Sequence, residues 1–268
     1  MMPLPLYCRI VNARNFLRGR PLRLAPFDGE AIFKASDATG ELFLCRRGRH
    51  LRYKRGIGRL LEQLVRAYHL QHVSLGAGGL LIDCGANVGE LGIWARSRNV
   101  EYVAFEREPV EARCVDLNAY GGEPKTIRKA LWNRDTTLEF FSKPDTADSS
   151  VIDPGDTAER RTVDAVRLDT ALDLSGRTGM VVLKVEGEGA EPEILDGATG
   201  LLPFVDFVTV DCGPERGRQE AHTFVEVNGF LVEAGFRLVQ FGIPRTTALY
   251  RNAGRSQGGT LSAAALDD

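Results

Sequence analysis

The sequence predicts an α/β fold: an open, mainly parallel sheet of seven strands with helices on both faces, an antiparallel pair at its end and a small β-rich cap before it. Three observations predict it. Short apolar runs at 80–82, 101–105, 180–185 and 204–210 read as strands buried on both faces. Segments with helical spacing of apolar residues separate them, as in a doubly wound sheet. Residues 1 to about 55 instead alternate short apolar runs with Gly and Pro turn signals, the pattern of short antiparallel strands.

The stretch 80–97, LLIDCGANVGELGIWARS, organises the rest. Leu80, Leu81 and Ile82 form a buried strand that ends at Asp83. Gly85 and Gly89 flank a tight turn, and Leu91, Ile93, Trp94 and Ala95 recur as a helix packed on a sheet. The glycines let backbone approach a ligand closely, and the helix start presents unpaired N–H groups. Asp83 narrows the ligand. A pyrophosphate here would meet a carboxylate, whereas a zwitterionic amino-acid group gives its ammonium to the acid and its carboxylate to the N–H groups. S-adenosyl-L-methionine (SAM) has such a group. The dinucleotide fingerprint is incomplete, because Ala86, Asn87 and Val88 separate Gly85 from Gly89. An NAD-dependent oxidoreductase stays open as the less favoured reading.

With 34 Lys+Arg against 36 Asp+Glu in 268 residues, the chain has no overall nucleic-acid charge signature and is long enough for one sizeable core with an appendage. Five scattered cysteines without a C-x-x-C pair suit a reducing cytosol. No apolar run approaches the length of a transmembrane span, so the expectation is a soluble, cytoplasmic protein. A basic run, Arg46, Arg47, Arg49, His50, Arg52, Lys54, Arg55 and Arg59, leads into the amphipathic pattern Leu60, Leu61, Leu64, Val65, Tyr68. It has two readings, a solvated face or an anion site over the mouth of a pocket. Gly76, Gly78 and Gly79 mark the join to the main domain, giving a cap and linking helix over 1–75, a main domain over 76–251 and a mobile tail over 252–268.

After the glycine turn, strand 101–105 ends in Glu106, seventeen residues beyond Gly89, where a doubly wound sheet places a carboxylate able to accept both hydroxyls of an adenosine ribose. A helix over 109–119, a strand over 126–131 and a hairpin partner over 137–141 follow. Residues 143–161 read as a loop, and a possible lid, over the carboxyl ends of the strands. Strand 163–168 precedes the central strand 180–185, which runs into Glu186, Gly187, Glu188, Gly189, Ala190 and Glu191. Three carboxylates in one turn after a buried strand point to a cationic ligand. A helix over 192–202, a strand over 204–210 ending at Asp211, a helix over 224–234 and strands over 236–241 and 247–251 complete the pattern.

Taken in order, IDCGANVGELGIWA, YVAFEREP, KALWNRDTTLEFF, DSSVID, VRLDTAL, LKVEGEGAEPEILDGA and TVDCGPERG resemble the FkbM-family SAM-dependent methyltransferases over about residues 78–240. The resemblance implies a class I methyltransferase fold, Rossmann-like, with SAM across the carboxyl ends of the first strands. It implies that Asp83, Gly85, Asn87 and Gly89 line the methionyl end, that Glu106 takes the ribose hydroxyls, that Ala130 and Leu131 edge the adenine, and that Asn118 supports the turn or helix end nearby. It further implies O-methylation of a hydroxyl on a sugar, a glycolipid precursor or a natural product, with a small-molecule or glycan acceptor that the basic run could hold by a phosphate. Where the family usually has Lys-Ile-Asp-Val-Glu-Gly-Ala-Glu, this chain has Glu186 one methylene longer and Gly187 beside it.

A hydroxyl acceptor must lose its proton as the new bond forms, and a carboxylate just past the central strand lies near the methyl. Glu188 is the candidate base, Glu186 orients the cofactor or acceptor, Asp211 is the reserve and His222 a weaker choice. The chemistry requires no metal. Two alternatives stand beside this reading: a divalent-metal-dependent O-methyltransferase with Glu186, Glu188 and Asp211 as ligands, and a non-catalytic SAM-binding module.

Overall fold

In the computed structural model, which describes residues 2–29, 31–142, 152, 159–243 and 245–255, the chain opens with a helix, α1 (Leu4–Leu17), and not with a strand. Leu4, Cys8, Val11 and Asn15 are buried along it at spacings of four, three and four, a helical period that the six-residue run 6–11 is too short to reveal. Pro5 in the first turn needs no partner for a missing N–H, and Gly19 at φ 61 ends the helix. Asn12 clamps the next strand, donating to Leu24 O (2.8 Å) and accepting from Leu24 N (2.7 Å). That strand, β1 (Arg23–Asp28), pairs with β2 (Ile32–Asp37) and β2 with β3 (Gly40–Leu44), all antiparallel. The basic run then folds as a 3-10 helix over Arg47–Tyr53, followed by α2 (Ile57–Ala67).

Six strands form the main sheet among the described residues: β4 (Leu80–Cys84), β5 (Glu101–Phe105), β9 (Val181–Val185), β10 (Phe207–Asp211), β13 (Phe236–Phe241) and β14 (Thr247–Asn252), ordered β13-β14-β10-β9-β4-β5. Strands β10, β9, β4 and β5 are parallel, and β14 runs antiparallel to β10 and β13. The expected seventh strand shrinks to one bridge, Phe105 to Ile127. Asp116 bears on one end of it: its carboxylate takes the N–H of Lys125 (3.1 Å), one of the alternate groups on the edge toward β5, and that of Thr126 (2.9 Å), on the other edge. The chain then leaves the sheet, and β6 (Ala130–Leu131) joins β8 (Glu159–Val166), which pairs with β7 (Thr136–Ser142). The lid reading of 143–161 lies outside the described residues, apart from Ile152 and the first residues of β8, and so does the tail beyond 255. At the head of that tail, Asn252 still belongs to β14, and Arg255 pairs with Asp206 (2.7 Å).

Helices cover both faces. Along the strands Leu81, Val182, Phe207 and Leu249 point to a core shared with α1, α2, α3 (Glu90–Ser97) and α4 (Pro109–Ala119), so residues 1–75 and the sheet bury one continuous layer. Leu80, Ile82, Leu183, Val208 and Tyr250, one step out of register, face α6 (Glu191–Asp196) and α7 (Phe224–Glu233), with the short α5 (Leu168–Ala171) on the same side. Each such Leu or Ile contributes about 1.5–3 kcal/mol by its burial. The helix expected over 192–202 stops at Asp196, and Gly197, its C-cap, packs where a Cβ would stand 2.1 Å from Trp132 O. A small hairpin, β11 (Pro214–Arg216) and β12 (Ala221–His222), rises beyond β10.

The same alternation sorts the chemistry. Asp83, Lys184, Thr209 and Asp211 share the parity of Leu81 and Val182, so they emerge on the face covered by the N-terminal segment.

Candidate active site

A cleft of about 450 Å³ opens at the carboxyl ends of β4, β5 and β9, and its two halves are built differently. One half is backbone. Gly85 N and Ala86 N both donate to Phe105 O (3.0 Å each), folding the turn onto β5. Gly85, at φ 80, could carry no side chain, since a Cβ would stand 2.2 Å from Glu186 O. The missing side chain therefore serves contact between the turn and the end of β9. Gly89 does the same against α4, where a Cβ would meet Val115 Cα at 3.1 Å. Asn118 holds the turn from below, donating to Val88 O (2.6 Å) and Phe43 O (3.0 Å) and accepting from Phe43 N (2.8 Å), and so ties β3 to the turn.

Glu106 closes this half. Its carboxylate accepts from Asn87 N and Glu108 N, 2.9 Å each, one bond per oxygen, which leaves each oxygen further accepting capacity. Burial raises its pKa to about 7, with Arg107 and the two N–H groups opposing. Arg107 is itself lowered to about 10 by burial, against the pull of Glu106, Glu108 and Glu188.

The other half is side chains. Lys184 Nζ, 3 % exposed, lies 2.9 Å from Asp83 Oδ1 and 3.0 Å from Glu186 Oε2, and donates to Gly85 O (2.8 Å). Asp83 also accepts from Tyr102 OH (2.6 Å), so both of its oxygens face partners within the chain. Arg245, from the β13–β14 connection, bridges Glu186 and Asp211, with its Nε 2.6 Å from Asp211 Oδ2. Its guanidinium and Lys184 both lie 5.2 Å from the ring of Tyr68, which follows α2. Burial pushes the Glu186 carboxyl up, but Lys184, Arg245 and the Tyr68 hydroxyl outweigh it and hold it at about 2. Asp211 moves the other way, raised by burial against Arg245.

Glu215, in β11, has no ion pair among the described residues. Burial, then Asp211, Glu186 and Glu191, raise its carboxyl to about 8 against the pull of Arg245, and its buried Oε2 has no hydrogen-bond partner among the described residues. Asp83, Glu186, Asp211 and Glu215 thus face two cations, Lys184 and Arg245.

Of the residues singled out in the sequence, Asp83, Gly85, Asn87, Glu106, Ala130, Leu131, Glu186 and Glu188 line the cleft, whereas Gly89 and Asp211 stand behind its wall. His222 lies exposed on β12 with Nδ1 3.2 Å from Cys212 O. The acidic turn divides by role. Glu191 accepts from Gly187 N (2.8 Å), Gly189 N (3.1 Å) and Thr223 Oγ1 (3.0 Å), which staples the turn shut. Glu186 is locked between cations, and Glu188 lines the cleft from a left-handed backbone (φ 53). Arg49 and Arg52 of the basic run line the cleft, with Arg52 4.0 Å from Glu90, while Arg46 pairs with Glu111 (2.5 Å) and Arg47 lies over Tyr7. Tyr68, Glu215 and Arg245 were not legible as site residues. Glu215 follows a strand end, a weak signal, and Arg245 has no local one.

The model of the FkbM methyltransferase domain matches residues 83–238. Solved structures that resemble the chain include a SAM-dependent methyltransferase from Aquifex aeolicus (13 % identity, TM-score 0.40, covering 71 % of this chain and 88 % of that one). A TehB-like SAM-dependent methyltransferase from Corynebacterium glutamicum matches at 12 % identity and TM-score 0.39, over 77 % and 94 %. Magnesium protoporphyrin IX methyltransferase from Synechocystis, with bound SAM, matches at 13 % and 0.38, over 77 % and 81 %. No curated protein matches the sequence. The family match covers more than half of the chain, sets aside the oxidoreductase reading and makes this protein a member of the FkbM methyltransferase family, a methyltransferase whose cofactor is SAM.

Proposed function

We propose that this methyltransferase acts on a hydroxyl of a small-molecule or glycan acceptor, with Glu215 taking the proton. The observation that carries this reading is Glu215 Oε2 on the cleft wall, buried and without a hydrogen-bond partner among the described residues, in a carboxyl raised to about 8. A thiolate or a carboxylate acceptor would need no such group, whereas a hydroxyl does.

The residues present fit the cofactor. Glu106 has accepting capacity for two ribose hydroxyls, Ala130 and Leu131 offer apolar contact for the adenine, and the Asp83–Glu186 pair at the end of β4 and β9 puts carboxylates on the side of a sulfonium. Asp83 and the turn from Gly85 to Asn87 line the cleft for the methionyl end. When bound, SAM supplies an electrophilic methyl. Tyr68, held by Thr209 Oγ1 donating to its backbone oxygen (2.8 Å), walls the side where an acceptor enters. Glu215 receives the hydroxyl proton as the acceptor oxygen bonds to carbon, and a neighbouring positive charge draws its pKa down toward the operating pH. Glu186, already ionised and doubly paired, keeps Lys184 and Arg245 in place and takes no proton at neutral pH. Glu188, beside Arg107, orients the cofactor and is the second candidate for the base. A divalent metal fits poorly, because Glu186 is claimed by Lys184 and Arg245, and Asp211 by Arg245 and Gly213 N.

Arg49 and Arg52 support an acceptor that carries an anionic group such as a phosphate. The test of the base is Glu215→Gln, which keeps S-adenosylhomocysteine affinity and lowers turnover about 10²-fold or more. Wild-type turnover in Glu215→Gln with an inactive Glu188→Gln moves the role to Glu188. If both variants stay active, no carboxylate removes the proton.

A further inference from the structure

We infer that α1 docks this protein on an anionic lipid surface. The helix carries two apolar stripes. Leu4, Cys8, Val11 and Asn15 are buried, and on the opposite side Leu6, Ile10, Ala13 and Leu17 repeat the same spacing of four, three and four while facing solvent. Leu6 and Ile10 are each 48 % exposed, Phe16 73 % and Leu17 83 %, on a helix that already has its buried face. Helical geometry places Arg9 on one flank of the outer stripe and Arg14 on the other, with Arg18 at the helix end.

Charge decides what covers this stripe. Residues 1–27 hold five arginines, Arg9, Arg14, Arg18, Arg20 and Arg23, and no Asp or Glu. A second copy packed on the stripe would bring these rows of like charge together. A nucleic acid would satisfy the arginines and leave the leucines in water. An anionic bilayer answers both: the apolar side chains enter the boundary between headgroups and acyl chains, and the arginines meet lipid phosphates. The helix also touches the segment that leads into the cleft wall. Tyr7 OH meets Nδ1 of His50 (2.8 Å) and donates to Arg47 O (2.5 Å), in the 3-10 helix that carries Arg49 and Arg52 to the cleft wall. Docking through α1 therefore links the lipid surface to the 3-10 helix that supplies part of the cleft wall, whichever acceptor is methylated.

Co-sedimentation of the full chain with vesicles of phosphatidylcholine alone, or with about a third phosphatidylglycerol, tests this. The expected result is binding to the mixed vesicles that weakens with salt. Phe16→Ser with Leu17→Ser, both on the surface, should reduce the partition at least about tenfold with an unchanged melting temperature. Replacing Arg9, Arg14 and Arg18 with Gln should cost about fivefold per arginine. No vesicle binding overturns the inference, as does binding that these variants leave intact. A concentration-dependent dimer that Phe16→Ser with Leu17→Ser dissolves, without vesicle binding, would make the stripe a self-interface and overturn it equally.

Discussion

The two halves of the cleft solve the same problem, holding groups still at the ends of β4 and β9, by different physics. Around Gly85 and Glu106 the partners are backbone groups within about twenty residues: Phe105 O, Asn87 N and Glu108 N. Around Lys184 and Arg245 they are side chains from distant parts of the chain, with Arg245 donating to Tyr68 OH (3.0 Å) across 177 residues. A backbone site tolerates loss of one side chain, because the turn's hydrogen bonds remain. A side-chain network does not, since each removed charge leaves its partner buried and unpaired. The difference predicts where substitutions damage the fold and where they damage only binding.

The largest effect belongs to the network. Lys184→Met removes the cation between Asp83 and Glu186, whose side chains are 2 % and 22 % exposed, and should destabilise the fold by about 3–5 kcal/mol in denaturant unfolding. A loss below about 1 kcal/mol would show that the two halves respond alike.

Glu106→Ala should leave the melting temperature nearly unchanged and weaken S-adenosylhomocysteine binding by about 1.5–3 kcal/mol in calorimetry. Because the carboxyl titrates at about 7 and the ionised form accepts the ribose hydroxyls, wild-type affinity should fall as pH drops below that value, and the variant should lack the dependence. By contrast Gly85→Val strikes Glu186 O and belongs with the stability variants.

A smaller effect has its own pH signature. Glu186 is depressed to about 2, so its stabilisation is complete above pH 4.5 and lost as pH falls toward 2. Glu215 is raised to about 8, so the native state holds a proton that the unfolded chain has released, and stability falls as pH rises from 4.5 through 8. Glu215→Gln should therefore stabilise the fold by on the order of 1–2 kcal/mol at alkaline pH and flatten that limb of the melting profile. An unchanged alkaline limb would place the titration elsewhere.

The smallest effect lies at the rim. Arg49→Ala with Arg52→Ala should change stability by less than about 1 kcal/mol and raise the acceptor Michaelis constant severalfold, with a reduced salt dependence. Loss of S-adenosylhomocysteine affinity instead would assign the pair to the cofactor carboxylate, consistent with Arg52 lying 4.0 Å from Glu90 at the start of α3.

By itself the sequence determined the half of the site that is local. An apolar run, two glycines four apart, an acid at the next strand end and a chain of seven motifs specify the turn, Glu106 and the family, because strand, turn and helix are each decided by a few neighbouring residues. Tertiary structure decided the rest. Whether 6–11 was strand or helix depended on Leu4 and Asn15 finding a core, and the seventh strand shrinks to the bridge at Ile127, with the N–H of Lys125 taken by Asp116. The roles within the acidic turn depended on Thr223, Lys184 and Arg245, which burial and distance bring to Glu191 and Glu186. A pKa is set by desolvation and by charges within a few ångströms, and neither is written in the spacing of residues along a chain.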